Sequence, residues 1–157
     1  MKKYPILILD DDDAILKALQ ETLRLEGYVC FGSTHVEEAL DFIKKNRVAV
    51  ALSDQRMTEM KGTCFLQQVK MLQETCSRVL ITGVLVSDMF LEAINVAEVL
   101  RCLAKPWTRP QLLNVIADAY KTFEIKLANE EAHQALLEVN QRLVEENEQL
   151  RSFAVQP

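Results

Sequence analysis

Short apolar runs alternate with amphipathic stretches from the start of the chain to about residue 121. Ile6-Leu7-Ile8-Leu9 is apolar at every position and ends in acids, the pattern of a strand buried on both faces. Ile15, Leu19 and Leu23 recur at every fourth position, with Leu16 beside them, and predict a helix over 13–26 that Gly27 stops. Tyr28 to Phe31 reads as a second strand, and Val36 to Lys45 as a helix capped by Ser33 or Thr34. Val48-Ala49-Val50-Ala51-Leu52 is a third buried strand that ends at Ser53-Asp54. A loop containing Gly62 follows, then a helix marked by Phe65, Leu66, Val69 and Leu72. Arg78 to Thr82 predicts strand four, about 87–95 a weaker helix, and Val99 to Ala104 strand five. Lys105-Pro106-Trp107 breaks the pattern, and Thr108-x-x-Gln111 is a capping-box signal for a final helix.

Five strands alternating with five helices predict an α/β fold, a five-stranded parallel sheet doubly wound with helices on both faces. Such sheets bind ligands at the carboxyl ends of their strands, near the topological switch point. That edge collects the acids after strand one, Asp54 after strand three, Thr82 after strand four and Lys105 after strand five.

Composition narrows the classes. Hydrophobic residues make up 49% of 157 residues, enough for a real core in one domain plus an appendage. No apolar run approaches the roughly 20 residues of a membrane span. The opening Met1-Lys2-Lys3-Tyr4-Pro5 reaches acids after too few apolar residues for a signal peptide, so a cytoplasmic protein is expected. A net charge of −5 offers no phosphate-backbone footprint, so direct binding of nucleic acid is not expected. Cys30, Cys64, Cys76 and Cys102 form no C-x-x-C pair and have no histidine at ligand spacing, and they read as buried reduced thiols. His35 and His133 stand alone and read as neither catalytic nor phosphoaccepting.

The candidate chemistry is acidic. Asp10-Asp11-Asp12-Asp13 crowds four carboxylates at a strand end. Like charges this close raise each other's pKa unless a cation joins them, and an oxygen-rich open site suits Mg²⁺. The plainer reading is that some of these aspartates cap the next helix. Both are expected: Asp10 and Asp11 face the site, while Asp12 or Asp13 begins the helix.

Taken in order, Ile8-Leu9-Asp10-Asp11-Asp12, Leu52-Ser53-Asp54-Gln55-Arg56-Met57, Gly62, Leu80-Ile81-Thr82-Gly83 and Lys105-Pro106-Trp107 resemble the receiver domain of two-component response regulators over about residues 4–121. The Ser-Asp-x-Arg-Met and Lys-Pro-Trp forms are similar to the subgroup that precedes HD-type phosphodiesterase, cyclase or kinase outputs. The resemblance implies a flavodoxin-like receiver fold in which Asp54 takes a phosphoryl group from a sensor histidine kinase or phosphotransfer protein. It implies Mg²⁺ held by Asp11, Asp54 and the backbone carbonyl of Arg56, with Asp10 acting mainly through a metal-bound water. It implies phosphoryl oxygens met by Lys105 and the Thr82 hydroxyl, and a cis bond at Lys105-Pro106. The state would pass through the face of strand four, helix four and strand five and on through the C-terminal helix. No enzyme is implied beyond the domain's own phosphotransfer and autodephosphorylation. These roles agree with phosphoryl transfer as mostly positioning and charge neutralisation.

Two residues depart from the family pattern. Thr58 stands where the family usually has proline, which predicts a more mobile loop with its chemistry kept. Cys102 stands where the family has a switching aromatic, Tyr or Phe; either switching tolerates this or the coupling of phosphorylation to output is altered. Val84-Leu85-Val86 is unusually apolar and reads as core or as a contact patch on the signalling face.

From Lys121 the composition shifts to Glu, Gln, Asn and Leu. Domain boundaries are expected at 1–121 and 122–157. Leu136, Leu143 and Leu150 recur every seven residues, and as d positions they place Asn140 and Asn147 at a, where buried asparagine fixes register and favours parallel pairing. A homodimeric parallel coiled coil competes with a solvated extension of the last helix. Seven acids against four bases over 121–157 argue against a basic zipper. Sequence alone reads the chain equally as complete or as part of a longer regulator.

Three functions follow: a phosphorylation-controlled signalling module; a switching-impaired receiver acting as a constitutive dimerisation scaffold; or a haloacid-dehalogenase-like phosphatase, whose Asp-x-Asp spacing Asp10 and Asp12 match. The intact Asp10, Asp11, Asp54, Thr82 and Lys105 favour the first, Cys102 keeps the second open, and the position of Asp54 opposes the third.

Overall fold

The computed structural model describes residues 4–83 and 87–155. Two compact units divide the chain, the first ending at Glu124 and the second beginning at Ile125. In the first unit, strands β1 (Ile6–Leu9), β2 (Cys30–Ser33), β3 (Val50–Asp54), β4 (Ser77–Thr82) and β5 (Arg101–Ala104) alternate with helices α1 (Asp13–Leu25), α2 (Val36–Lys45), α3 (Gly62–Leu72) and α4 (Asp88–Ala97). Helix α5 (Arg109–Val155) supplies the last helix of this unit and the body of the second. The sheet is parallel throughout, in the order β2-β1-β3-β4-β5. This is the doubly wound α/β sheet expected.

Alternate strand residues feed two cores. Leu7, Leu9, Ala51 and Leu80 pack with Ala39 and Ile43 of α2, Phe65 and Leu66 of α3, and Ala97 of α4. Helix α1 lies on the opposite face: a Cβ on Gly32, which pairs with Ile8, would meet Leu16 and Gln20. Helix α5 buries Leu112, Ile116, Ala119, Tyr120 and Phe123. Tyr120 holds the start of the chain: its hydroxyl accepts from the Tyr4 N–H (3.1 Å) and donates to the Tyr4 carbonyl (3.3 Å). Phe123 meets Tyr4 edge-on, with ring centroids 5.2 Å apart, so the first unit runs a few residues past 121.

Several strand edges differ from the sequence expectation for one reason. Helix C-termini continue to collect hydrogen bonds before the next strand begins. Gly27, at φ 87°, ends α1, but the Tyr28 N–H still donates to Leu23 (3.1 Å), so β2 starts at Cys30 rather than Tyr28. The Val99 N–H likewise closes α4 on Ile94 (3.1 Å), and β5 starts at Arg101. β3 starts at Val50 rather than Val48 and reaches Asp54, carrying Ser53 and Asp54 inside the sheet.

Helix ends carry two further findings. The Thr108–Gln111 capping box is present, with the Thr108 N–H on Gln111 Oε1 (2.9 Å) and the Gln111 N–H on Thr108 Oγ1 (3.3 Å). Neither Ser33 nor Thr34 caps α2. Its N-cap is His35, which makes no side-chain cap bond; instead the Glu59 carboxylate, far along the chain, accepts from the Val36 N–H (3.2 Å). The Ser33 hydroxyl is engaged with His35 and Glu38.

Arg78 is buried at 1% exposure in β4. Its guanidinium donates to the carbonyls of Ala97 (2.8 Å) and Cys76 (2.7 Å), which meets the cost of desolvating a charge and fastens the end of α4. Burial pushes the Arg78 pKa down, against the charge of Glu98. The cysteines correct the expectation of buried thiols: all four are free, but only Cys76 is buried, Cys30 is half-buried, and Cys64 and Cys102 are exposed. Cys102 lies on an edge strand whose residues, Leu103 apart, are exposed. Val84-Leu85-Val86 lies outside the described residues. No described helix is long and apolar enough to cross a membrane.

Candidate functional site

The carboxyl edge of the sheet is built by hydrogen bonds that run past the strand ends. The Asp10 N–H reaches Ser33 (3.3 Å), the Gln55 N–H reaches Ile81 (2.9 Å) and the Lys105 N–H reaches Thr82 (2.9 Å). Each residue after an apolar run is thereby held at a fixed height above the sheet. The central strands β1 and β3 bring Asp10 and Asp54 side by side, since these strands are neighbours in the sheet.

Asp10, Asp11 and Asp54 each offer a carboxylate oxygen, and these atoms lie within 4.8 Å of one another. Asp10 and Asp54 are buried, while Asp11 is exposed. Asp12 serves as N-cap of α1, accepting from Ala14 (3.0 Å) and Ile15 (3.3 Å), and Asp13 is its first residue. Asp10 and Asp11 therefore stand with Asp54, while Asp12 and Asp13 begin α1. One Asp10 oxygen accepts from the Asp12 N–H (2.9 Å); the other, Oδ2, is buried with no hydrogen-bond partner. Burial, with the charges of Asp54 and Asp11, pushes the Asp10 carboxyl up to about 6, against the Asp12 N–H and Lys105. A crowded anion with an unmade bond is an arrangement that a hard divalent cation completes. The donor set fits Mg²⁺.

Lys105 places Nζ 2.7 Å from Asp54 Oδ1. The Lys105-Pro106 bond is cis. Thr82, 8% exposed at the end of β4, lines a cavity of about 210 Å³ with Asp54, Gln55, Arg56, Gly83 and Lys105. Thr82 pairs with Ala104 and Leu80 with Cys102, so Thr82 and Cys102 lie on the same face of neighbouring strands.

The loop from Gln55 to Lys61 is tied at several points. Gln55 accepts from the Gly62 N–H through its carbonyl (3.0 Å) and from the Thr63 N–H through its side chain (2.9 Å). The Thr58 N–H donates to Asp11 Oδ2 (3.2 Å), and Glu59 anchors on α2 and His35. Gly62 has no room for a side chain: a Cβ there would overlap the Asp54 carbonyl oxygen and press on Leu80. Sequence reasoning missed Gln55 and Glu59 as organisers of this loop. The position of Gln55 directly after Asp54 was the one local signal; the partner of Glu59 lies in another helix and leaves none.

Comparison with known proteins gives the family. The family model for the response regulator receiver domain matches residues 6–117. The hydrogenase transcriptional regulatory protein HoxA of Bradyrhizobium diazoefficiens is 30% identical over 81% of this chain, which spans about a quarter (26%) of that relative. Sporulation initiation phosphotransferase F of Bacillus subtilis is 30% identical over 78% of this chain and 95% of its own length. The signal receiver domain of an HD domain-containing protein from Pseudomonas fluorescens Pf-5 superposes with a TM-score of 0.76 at 25% identity, covering 82% of this chain and 94% of that one. The chain belongs to the response regulator receiver domain family, the phosphotransfer modules of two-component signalling.

Proposed function

We propose that Asp54 is the phosphoacceptor of a two-component switch and that its donor is the phosphohistidine of a sensor kinase or phosphotransfer protein. The observation that carries this reading is the Lys105–Asp54 contact of 2.7 Å beside the three-carboxylate cluster. An Asp54 carboxylate oxygen attacks the phosphorus; the O–P bond forms as the P–N bond of the donor breaks, and the imidazole nitrogen keeps the electron pair. Lys105 stabilises the incoming phosphoryl oxygens as it leaves its contact with Asp54. The Thr82 hydroxyl, on the same cavity, donates to another of those oxygens.

Asp10, Asp11, Asp54 and the carbonyl of Arg56 would hold Mg²⁺, which when bound neutralises charge on the transferring group. Phosphorylation adds roughly −1.5 to −2 charges beside Thr82 and Lys105. The inward pull on Thr82 biases the face formed by β4, α4 and β5, where Cys102 replaces the aromatic lever with a small side chain. The protein acts on its own aspartyl phosphate and turns over no separate substrate.

The second unit we assign to dimerisation. Leu136, Leu143 and Leu150 are 58%, 51% and 66% exposed, with Asn140 and Asn147 inside the same helical stripe. A second copy in parallel register covers these leucines and pairs the asparagines. The four free thiols suit a reducing compartment, and we place the protein in the cytoplasm.

The test is incubation with Mg²⁺ and acetyl phosphate followed by intact-mass measurement. One phosphoryl group per chain is expected, dependent on Mg²⁺. Phosphorylation that persists at full stoichiometry in Asp54→Ala would place the acceptor elsewhere and end this reading.

A further inference from the structure

Thr58 sits four residues after Asp54, and its side chain is exposed. Its backbone does more than its side chain. The Thr58 N–H donates to Asp11 Oδ2 at 3.2 Å, joining residues 47 apart in sequence. A proline at this position has no N–H to give. We propose that the Thr58 amide is a positioning group for the cation site, holding the exposed Asp11 carboxylate in line with Asp10 and Asp54. This rests on the reading of those three aspartates as cation ligands.

Asp11 is the residue that needs holding. It is the exposed member of a cluster whose other two members are buried. A surface aspartate is free to change rotamer, and fixing it costs conformational entropy each time a ligand binds. One amide bond to Oδ2 removes much of that freedom beforehand and leaves the carboxylate with lone pairs to spare, since an ionised carboxylate accepts about four bonds.

The donor is itself held. Gln55, three residues before Thr58, is fixed to Ile81, Gly62 and Thr63. Glu59, directly after Thr58, is fixed to the Val36 N–H and to His35 Nδ1 (3.0 Å). An amide between two anchors is a rigid donor. The same loop carries the Arg56 carbonyl, so one segment supplies a ligand of its own and restrains a second ligand borne by another.

The experiment is a Mg²⁺ titration of the full chain followed by the fluorescence of Trp107, two residues beyond Lys105. It compares wild type, Thr58→Ala and Thr58→Pro, with the thermal midpoint in chelator as a check of folding. Thr58→Ala keeps the amide and is expected to bind Mg²⁺ within about twofold of wild type. Thr58→Pro lacks it and is expected to bind about three- to tenfold more weakly, the scale of one modest hydrogen bond. Thr58→Pro binding like wild type overturns the proposal, as does Thr58→Ala weakening as much as Thr58→Pro.

Should Thr58→Pro fail to fold, hydrogen exchange of the Thr58 amide in chelator decides. Slow exchange in wild type that quickens at least tenfold in Asp11→Ala supports the contact; equal exchange in both overturns it. A wild type without saturable Mg²⁺ response removes the cation reading together with this proposal. A wild type that binds while both variants match it removes only the role of Thr58.

Discussion

Helix α5 handles apolar side chains in two ways along its length. Leu112, Ile116 and Phe123 are no more than 1% exposed, whereas Leu136, Leu143 and Leu150 leave half or more of their surface in water. The first group follows the demand of the sheet for cover. The second is leucine at every seventh position, exposed to solvent. Burial of a leucine side chain is worth about 1.5–3 kcal/mol, so a repeated exposed stripe is a standing driving force for association. The first unit gathers carboxylates and a lysine at one edge; the second carries an apolar stripe exposed to solvent. The comparison predicts that the two tasks separate under mutation.

The largest effect belongs to Asp54→Ala, which should abolish Mg²⁺-dependent phosphorylation, a loss of at least about 100-fold in rate by the scale of removing the reacting group. Intact mass reads it. Sedimentation of the same variant should match wild type, because Asp54 lies among the buried residues of the first unit. Leu143→Asp is the converse. A charge placed in the proposed seam should raise the dissociation constant of the proposed dimer by about 100-fold, roughly 3 kcal/mol, read by sedimentation equilibrium. Phosphorylation stoichiometry should not change. If Leu143→Asp leaves the protein dimeric, the interface lies in the first unit and the contrast between the two units fails.

Much of this arrangement is legible in the sequence. Ile6–Leu9 and Val50–Leu52 announce buried strands, and each apolar run ends in a polar residue that stands at the strand's carboxyl end. The order Asp10, Asp54, Thr82, Lys105 along the chain becomes adjacency in space because β1, β3, β4 and β5 are successive neighbours. The illegible parts are contacts between distant segments whose residue types carry no local mark. Arg78 opens the predicted fourth strand with no local sign of its partners, yet it is buried against the carbonyls of Ala97 and Cys76. Glu59 reads as a loop acid, yet it caps α2. Thr58 reads as the loss of a proline, yet its amide gains Asp11. Strand edges shift for a smaller reason: the helix-closing bonds of Tyr28 and Val99 compete with the start of β2 and β5.

Gly62→Ala asks whether the edge of the first unit is as tightly built as the contacts imply. The added Cβ meets backbone, the Asp54 carbonyl oxygen, which cannot rotate away. Overpacking of this kind costs typically 1–3 kcal/mol, and about 2 kcal/mol is expected in urea unfolding. Because the displaced atom belongs to Asp54, phosphorylation by acetyl phosphate should also slow several-fold. The association proposed for the second unit should be unchanged, since the atoms that the added Cβ would meet belong to Asp54 and Leu80 of the first unit.

The smallest effect concerns charge at that edge. Asp10 is held up at about 6 from an ordinary 3.8, chiefly by burial. A carboxyl whose folded pKa is raised binds more protons in the native than in the unfolded state between these two values. Stability of the metal-free protein therefore falls as pH rises from about 4 to about 6 and levels off above, a cost of about 3 kcal/mol at neutral pH by linkage. Asp10→Asn removes the charge and keeps an acceptor for the Asp12 N–H, but its amide nitrogen takes the place of a buried oxygen that already lacks a partner. The unmade bonds of that amide offset much of the gain, leaving about 1 kcal/mol of net stabilisation at pH 7 in chelator. Near pH 4 the sign should reverse: the native carboxyl is already neutral, only the unmade amide bonds remain, and the variant should be about 1–2 kcal/mol less stable than wild type. Urea midpoints at the two pH values measure it. A variant equally stabilised at both pH values would mean that Asp10 is charged or neutral alike across the range, and that the acidic edge bears no electrostatic cost for a cation to relieve.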